Sequence, residues 1–170
     1  MLSLKMSNSI ISNTSPLIAL SAIGDFDLLP QIFASVLIPK GVEQEIKAGV
    51  QPWHVNVAVE KAIRAEWMSV IAAPANATLC ALQERLGAGE AEAIALADER
   101  KLPILIDDRL GRAVAAHLNL VVTGTLGVLA KAKSKGLIRE VKPRIQRLRD
   151  AGIRYSNALT EEYLHGIGES

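Results

Sequence analysis

Three features are scarce or absent in this chain of 170 residues, and each excludes a class of protein. Cys80 is the single cysteine, which excludes an internal disulfide and a zinc site built from clustered cysteines. Aromatic residues make up only 4% of the chain, which argues against a nucleic-acid surface built from a row of stacking rings. No apolar run reaches membrane-spanning length, and the opening residues lack the pattern of a signal peptide. We therefore expect a cytoplasmic protein that does not contact a membrane.

The length and composition predict one globular domain over residues 1–170. The formal net charge is only +1, but the charges are unevenly distributed. Residues 131–150 contain eight Lys and Arg residues against two acids, a net charge of about +6, which leaves about −5 for the remainder. We predict a basic helical C-terminal segment over residues 131–170. This segment fits either a solvated helical surface or a contact for a polyanion.

Short apolar runs alternate with helical patterns, which predicts an α/β fold of three layers, α/β/α, around a mainly parallel sheet of about five strands. The predicted strands are Ser9–Ser12, Ser35–Ile38, Met68–Ala72, Pro103–Asp107 and Leu120–Val122. We expect the third at an edge of the sheet and the fourth, a continuous apolar run, at its centre. The first helix is expected to be capped by Ser15, with Pro16 at its first helical position.

Polar side chains follow two of the predicted strands. Asn13 comes directly after the first strand, and Asp107 and Asp108 end the fourth. In an open α/β sheet the carboxyl ends of the strands are where ligands bind, and charges at the end of a buried strand are costly unless water or a cation receives them. The alternatives are ordinary ones: Asn13 also fits a turn residue, and Asp108 fits an acid at a helix N-terminus.

Two glutamates are further candidates for this site. Glu45 shares a helical face with Val42 and Ile46, where a carboxylate is unusual, although it also fits a side chain that reaches water from the edge of an apolar stripe. Glu90 lies at the N-terminal end of a core-facing stripe, where the helix dipole favours an anion. Glu92 falls on a mixed face that is typical of a surface.

Gathered at one edge of the sheet, Asn13, Glu45, Glu90 and Asp107 would supply three carboxylates and an amide. This oxygen-only set suits Mg²⁺ or Mn²⁺ and disfavours Zn²⁺, which prefers nitrogen and sulfur ligands. The three histidines have no ligand spacing.

Several residues near the acids suit a phosphate. Thr123 and Thr125 precede a predicted helix, whose free N–H groups bind phosphate, although capping explains both threonines equally well. Arg109 and Arg112 follow the acidic pair, where they would touch substrate phosphate or, more simply, form salt bridges with Asp108.

Five ordered motifs resemble the PIN-like nuclease family, and more narrowly the prokaryotic PIN-like proteins related to VapC-type toxins. The motifs are SNTSPLIAL, VEQEI, GAGEAEAIALA, LIDDRLGRAVA and VTGTLGVLAKAKSKGLI, and they span residues 13–138, about three quarters of the chain. The resemblance implies an acidic pocket that binds Mg²⁺ or Mn²⁺ and hydrolyses phosphodiester bonds in RNA.

Carried onto this sequence, the resemblance assigns the ligands. The metal ligands would be Asn13, Glu45, Glu90, Asp107 and Asp108, with Glu45, Glu90 and Asp107 catalytic. Nucleic acid is expected at Thr14, Ser15, Arg109, Arg112, Thr123, Thr125, Lys131, Lys133 and Lys135. Typical active members carry Asp at the first position, and Asn13 keeps an oxygen ligand there but removes one negative charge.

Two functions follow from this pattern. The favoured one is a metal-dependent endoribonuclease, the toxin of a toxin–antitoxin pair, with single-stranded or tRNA-like RNA as substrate and a small antitoxin protein as partner. The alternative is a catalytically weakened module that binds nucleic acid or a partner protein. The sequence is also compatible with a homodimer. A nucleotide-binding dehydrogenase is excluded because no G-x-G-x-x-G follows the first strand.

Overall fold

The computed structural model describes residues 8–49 and 53–169, which form a five-stranded, all-parallel sheet between layers of helices. The strands are β1 Ser9–Ser12, β2 Ser35–Pro39, β3 Met68–Ile71, β4 Ile104–Leu105 and β5 Val122–Thr123. The ten helices of the described residues are α1 Thr14–Ala22, α2 Leu28–Ile32, α3 Lys40–Lys47, α4 Trp53–Arg64, α5 Ala77–Gln83, α6 Ala88–Arg100, α7 Arg109–His117, α8 Thr125–Ser134, α9 Lys142–Asp150 and α10 Asn157–Gly166. The predicted three-layer α/β/α fold is confirmed.

The strand order is β3-β2-β1-β4-β5. The chain moves outward from β1 through β2 to β3, and then returns to place β4 on the other side of β1. Ser12 pairs with Leu105 at the carboxyl ends of β1 and β4. The order of the strands therefore reverses between β1 and β4, and this switch point is where open α/β sheets bind ligands.

The predicted position of β3 at an edge of the sheet is confirmed. The prediction of β4 as an inner strand is also confirmed, although the middle position of the sheet belongs to β1. β1 is the central strand, and β4 lies between β1 and β5. β4 is also shorter than the predicted Pro103–Asp107, although the Ile106 N–H still donates to the Thr123 carbonyl oxygen at 2.8 Å. The carboxylates of Asp107 and Asp108 therefore emerge just beyond the ladder.

Alternation along the strands divides the core between the two faces of the sheet. In β1, Ile10 packs into the larger cluster, which the helices α1, α2, α4, α8 and α9 cover. Its neighbour Ile11 packs into the second cluster, with Ile94 and Leu96 of α6. Successive residues of a strand point to opposite faces, so both faces of this sheet are buried and its strands read as continuous apolar runs.

The predicted cap of α1 is wrong. Asn13, not Ser15, occupies the N-cap position, and Ser15 is an exposed residue of the first helical turn. Pro16 therefore lies third in the helix rather than first. The first N–H groups of a helix have no partner within it, so a proline is tolerated throughout the first turn.

No helix of the described residues is long and apolar enough to cross a membrane. The prediction of one domain over residues 1–170 stays a prediction, since residues 1–7, 50–52 and 170 lie outside the description.

Candidate functional site

Asn13 stands at the switch point of the sheet. Its backbone N–H donates to the Leu105 carbonyl oxygen at 3.1 Å, which holds the end of β1 against β4. The residue is only 4% exposed, and its side chain makes no cap hydrogen bond to α1. Within the described residues its Oδ1 atom is buried without a hydrogen-bond partner. Because buried acceptors are nearly always satisfied, this oxygen is a candidate ligand for a cation or a water molecule.

Glu45 links the beginnings of two helices at this edge. Its Oε2 accepts a short hydrogen bond from the Thr14 hydroxyl in α1, and its Oε1 accepts the Gly89 N–H of α6 at 2.9 Å. A Cβ atom on Gly89 would lie 2.6 Å from Oε2, so this approach requires glycine. The carboxylate complements both helix dipoles and brings together the segments that carry Asn13 and Glu90.

Glu92 was interpreted as a surface residue, and the structure gives it a specific partner. The Gly41 N–H at the beginning of α3 donates to Glu92 Oε2 at 2.7 Å. This bond satisfies one of the free N–H groups of that helix, so Glu92 fastens α6 to α3.

Glu90 lies half-buried at the beginning of α6, and its Oε1 has no hydrogen-bond partner in the described part of the chain. Burial, followed by the negative charge of Asp108, a hydrogen bond with Asp108 and the charge of Glu45, raises the pKa of Glu90 to about 7. Because burial and the neighbouring charges favour the neutral form, Glu90 holds its proton at a pH where an ordinary glutamate has lost it.

Asp108 is the N-cap of α7, where its Oδ2 accepts the Gly111 N–H at 2.8 Å. Gly111 also permits the approach of Glu90, because a Cβ there would collide with Glu90 Oε1 and lie 2.5 Å from Ile106 Cδ1. The sequence predicted that Asp108 lies at a helix N-terminus, and it does. The structure adds that the same carboxyl group faces Glu90.

Asp107 points to a different helix. Its Oδ1 accepts the Thr125 N–H at 2.8 Å, and its Oδ2 accepts the Thr125 hydroxyl at 2.6 Å and the Tyr155 hydroxyl at 2.9 Å. The sequence led us to expect that Glu90 and Asp107 meet. In the structure the partner of Glu90 is Asp108, because Asp107 is held by the beginning of α8 and by Tyr155.

Tyr155 was missed by the sequence analysis. It lies in the connection 151–156 between α9 and α10, 48 residues from Asp107. Burial and the charge of Asp107 raise its pKa far above the ordinary value, so the hydroxyl remains protonated and donates. Neither a motif nor a spacing in the sequence connects the two residues.

The predicted substrate contacts fall into two groups, of which the first lies at the carboxyl edge. Arg109 and Ser15 are exposed there, Thr123 ends β5 and is half-buried, and the hydroxyl of Thr14 is engaged by Glu45. Thr125 is buried with both of its donors on Asp107, which leaves it none for a phosphate.

The predicted salt bridges of the two arginines with Asp108 do not form. Arg112 donates instead to the Ile106 carbonyl oxygen at 3.0 Å, and no ion pair found among residues 8–49 and 53–169 joins Asp108 to Arg109 or Arg112. Arg109 therefore keeps its guanidinium group in solvent beside the acids.

The second group lies at the other end of α8. Lys131, Lys133 and Lys135 follow Thr125 by six to ten residues, which places them about 9 to 15 Å further along the helix axis. The Lys133 ammonium pairs with Glu169 at 2.7 Å, and that of Lys131 lies 5.2 Å from the centroid of the Phe33 ring. The structure does not bring these lysines together with the acids.

Three side chains at the switch point offer oxygen atoms that suit a divalent cation. Among the described residues, no three Asp, Glu, His or Cys side chains stand close enough to hold a metal ion. The donors that remain are the amide oxygen of Asn13 and the carboxylates of Glu90 and Asp108. Two of their oxygens, Asn13 Oδ1 and Glu90 Oε1, are buried and unpartnered. An all-oxygen set with open coordination positions is typical of Mg²⁺ and Mn²⁺.

Comparison with known families matches residues 9–169 of the chain to a model described as DUF3368: PIN domain. The matched range covers all five strands and all ten helices of the described residues. A comparison with curated proteins finds no match.

Proposed function

Because the chain belongs to the DUF3368 family of PIN domains, we propose that it is a metal-dependent endoribonuclease that hydrolyses phosphodiester bonds in RNA. A PIN domain has a nuclease-type fold. The observation that carries the proposal is the pair of buried oxygens, Asn13 Oδ1 and Glu90 Oε1, that have no hydrogen-bond partner among the described residues. Oxygens of this kind, beside other acids, suit a divalent cation.

Asn13, Glu90 and Asp108 are the residues that would hold Mg²⁺ or Mn²⁺. Mg²⁺ usually keeps several of its waters and needs only one or two protein carboxylates, so this set is sufficient. Glu45 contributes indirectly, since it fixes the helix beginnings that carry Asn13 and Glu90. The proton that the raised pKa of Glu90 retains must leave when a cation binds, and metal affinity should therefore rise with pH.

A bound metal would supply activation of the attacking water and stabilisation of the leaving oxygen. The chain's own residues would bind and orient the RNA. Arg109 offers a solvent-exposed guanidinium group next to Asp108, where it would bind a backbone phosphate, and Ser15 offers a hydroxyl on the α1 side. Both side chains stand in the first turn of the helices that Asn13 and Asp108 cap, at the carboxyl edge of the sheet.

The test is cleavage of a diverse set of end-labelled RNAs by native protein and by Glu90→Gln. We expect cleavage with Mn²⁺ or Mg²⁺, no cleavage in EDTA, and a rate at least about 100-fold lower for Glu90→Gln. Native protein that leaves every RNA intact with both metals would contradict the proposal. Cleavage that is equal in Glu90→Gln would identify a contaminating nuclease.

We further propose that the chain is the toxin of a toxin–antitoxin pair, with a small protein as its antitoxin. The support for this finer role is the resemblance of the motifs to VapC-type toxins. Induced expression should then arrest growth, and Glu90→Gln should relieve the arrest. Equal growth with and without induction of the native protein would argue against a toxin.

A second candidate function is a binding module without catalysis. It is favoured by the neutral Asn13 at the first ligand position and by the engagement of Asp107 with α8. In this case the protein should bind RNA without cleaving it, and binding should fall steeply with salt. Asn13→Asp would then create metal-dependent cleavage that the native protein lacks.

A further inference from the structure

Asp107 and Asp108 are consecutive in the chain, yet their carboxylates serve different helices. Asp107 binds the beginning of α8 through Thr125, whereas Asp108 caps α7 through the Gly111 N–H and faces Glu90. Two neighbouring side chains share the backbone between them, so the direction of one constrains the direction of the other. Whatever fixes Asp107 therefore also influences where Asp108 points.

The Tyr155 hydroxyl is the donor to Asp107 that comes from outside α8. The other two donors both belong to Thr125, so without Tyr155 a single residue would hold the carboxylate. Beside Asp107 and Tyr155 lies a small cavity of about 40 Å³, which Arg112, Leu159 and Tyr163 also line.

We propose that Tyr155 is a positioning residue for the metal site: by fixing Asp107 against α8, its hydroxyl sets the direction in which Asp108 presents its carboxyl group to Glu90. This inference rests on the proposed function, because the orientation of Asp108 matters for binding the cation that Glu90 and Asp108 would share. Tyr155 touches neither the cation nor the RNA. It acts through Asp107 and the backbone that Asp107 shares with Asp108.

The arrangement resembles the outer groups that orient metal ligands in other sites. Removal of such a group typically lowers metal affinity or activity by 10- to 100-fold, although the ligands themselves remain. Tyr155→Phe removes the hydroxyl and keeps the ring. We therefore expect native folding, a looser Asp107 and a weaker contact between Asp108 and the Gly111 N–H.

Tyr163→Phe is the matched control. Tyr163 lines the same cavity, and its hydroxyl makes no hydrogen bond to Asp107. Each variant removes one hydroxyl group from a residue that lines this cavity, and only Tyr155→Phe removes a donor to Asp107. A difference between the two variants therefore reports the hydrogen bond and not the general loss of a hydroxyl group.

The first measurement needs no metal. Gly111 lies in the first turn of α7, where an N–H has no partner within the helix, so the protection of its amide against hydrogen exchange comes from Asp108. In Tyr155→Phe this amide should exchange about tenfold faster than in the native protein, while core amides of α6 such as that of Ile94 keep their rates. In Tyr163→Phe both should be unchanged. Unchanged exchange at Gly111 in Tyr155→Phe would overturn the proposal.

The second measurement is the affinity for Mn²⁺ alone, by calorimetry. The dissociation constant should rise about tenfold in Tyr155→Phe and remain native in Tyr163→Phe. If native protein and Tyr155→Phe bind Mn²⁺ equally, the positioning role is wrong and the metal site stands. If the native protein does not bind Mn²⁺ but Gly111 exchanges faster in Tyr155→Phe, the proposed function fails and the positioning of Asp108 by Tyr155 stands.

Discussion

Glu90 and Asp108 face each other at the point where the strand order of the sheet reverses, although they come from the beginnings of two different helices, and burial together with Asp108 raises the pKa of Glu90. The pair is possible because Gly111 has no side chain to separate the two acids. Its cost is electrostatic, since the half-buried Glu90 cannot be charged beside Asp108 without loss of stability. Several measurable consequences follow from this pair.

The first consequence is a dependence of stability on pH. The pKa of Glu90 is about 7 in the native protein and 4.5 in its ordinary state, so between these values the native state holds a proton that the unfolded state has released. The free energy of unfolding therefore falls as pH rises from about 4.5 to about 7. After allowance for solvent screening, we expect a loss of about 1 kcal/mol.

Urea unfolding across this pH range, without metal, measures the effect. Glu90→Gln should remove this part of the pH dependence, while the exposed Glu84→Gln, as a control of the same chemistry, should leave it unchanged. A slope that persists in Glu90→Gln would mean that another group is responsible.

Asn13→Asp should strengthen metal binding at a cost to the metal-free protein. The change adds a negative charge at a buried oxygen, so the variant should unfold at a lower temperature in EDTA. With Mn²⁺ the added charge favours the cation, and we expect roughly tenfold tighter binding. Thermal unfolding without metal and with increasing Mn²⁺ tests both the lower stability and the tighter binding, because a ligand that binds more tightly raises the unfolding temperature more. An equal response of the two proteins would exclude Asn13 as a ligand.

Gly111→Ala should damage the site and the fold together. Its Cβ would meet Glu90 Oε1 and Ile106 Cδ1, so either the acid or the core must shift. We expect a loss of about 1 to 3 kcal/mol in the free energy of unfolding and weaker Mn²⁺ binding. Gly166→Ala, at the exposed end of α10, is the control, since none of the described residues lies within 4 Å of a Cβ there, and its effect should stay within about 0.5 kcal/mol. Similar losses in both variants would refute the steric argument.

Arg109 should contribute one phosphate contact to RNA binding. Arg109→Ala is expected to weaken binding and to reduce the slope of log affinity against log salt by about 1. Lys135→Ala removes the same charge from an exposed position at the far end of α8 and should have little effect. Titrations in EDTA with a labelled RNA at several salt concentrations measure the two slopes. A larger effect of Lys135→Ala would place the RNA on the basic end of α8 instead.

Much of the fold could be predicted from the sequence because its signals are local. Apolar runs between helical patterns predicted five strands, although the fifth was placed at Leu120–Val122 and lies at Val122–Thr123. The sequence also predicted Asp108 as an acid at a helix N-terminus, and it lies at the N-cap of α7. The beginning of α1 was misplaced because Asn13, Thr14 and Ser15 all have side chains that suit a cap, and a proline is tolerated anywhere in the first turn.

The candidate site could be predicted only in part, because the directions of its side chains depend on distant partners. The sequence placed Asp107 and Asp108 at the right edge, but Tyr155, from a connection near the end of the chain, fixes Asp107 away from Glu90. The charge count of the C-terminal segment likewise could not show that Lys133 is paired with Glu169 and that Arg144 is paired with Asp25. Local patterns place residues on elements, whereas tertiary contacts decide what each side chain faces.

Calorimetry of Mn²⁺ binding to native protein and to Asp108→Asn tests the proposed site most directly. Asparagine caps a helix as well as aspartate does, so the variant should keep the fold of α7 and lose only the charge. We expect the native protein to bind Mn²⁺ with an affinity that rises with pH, and Asp108→Asn to bind at least about tenfold more weakly. Native protein that gives no binding heat, or a variant that binds as tightly as the native protein, would contradict a metal site formed by Asn13, Glu90 and Asp108.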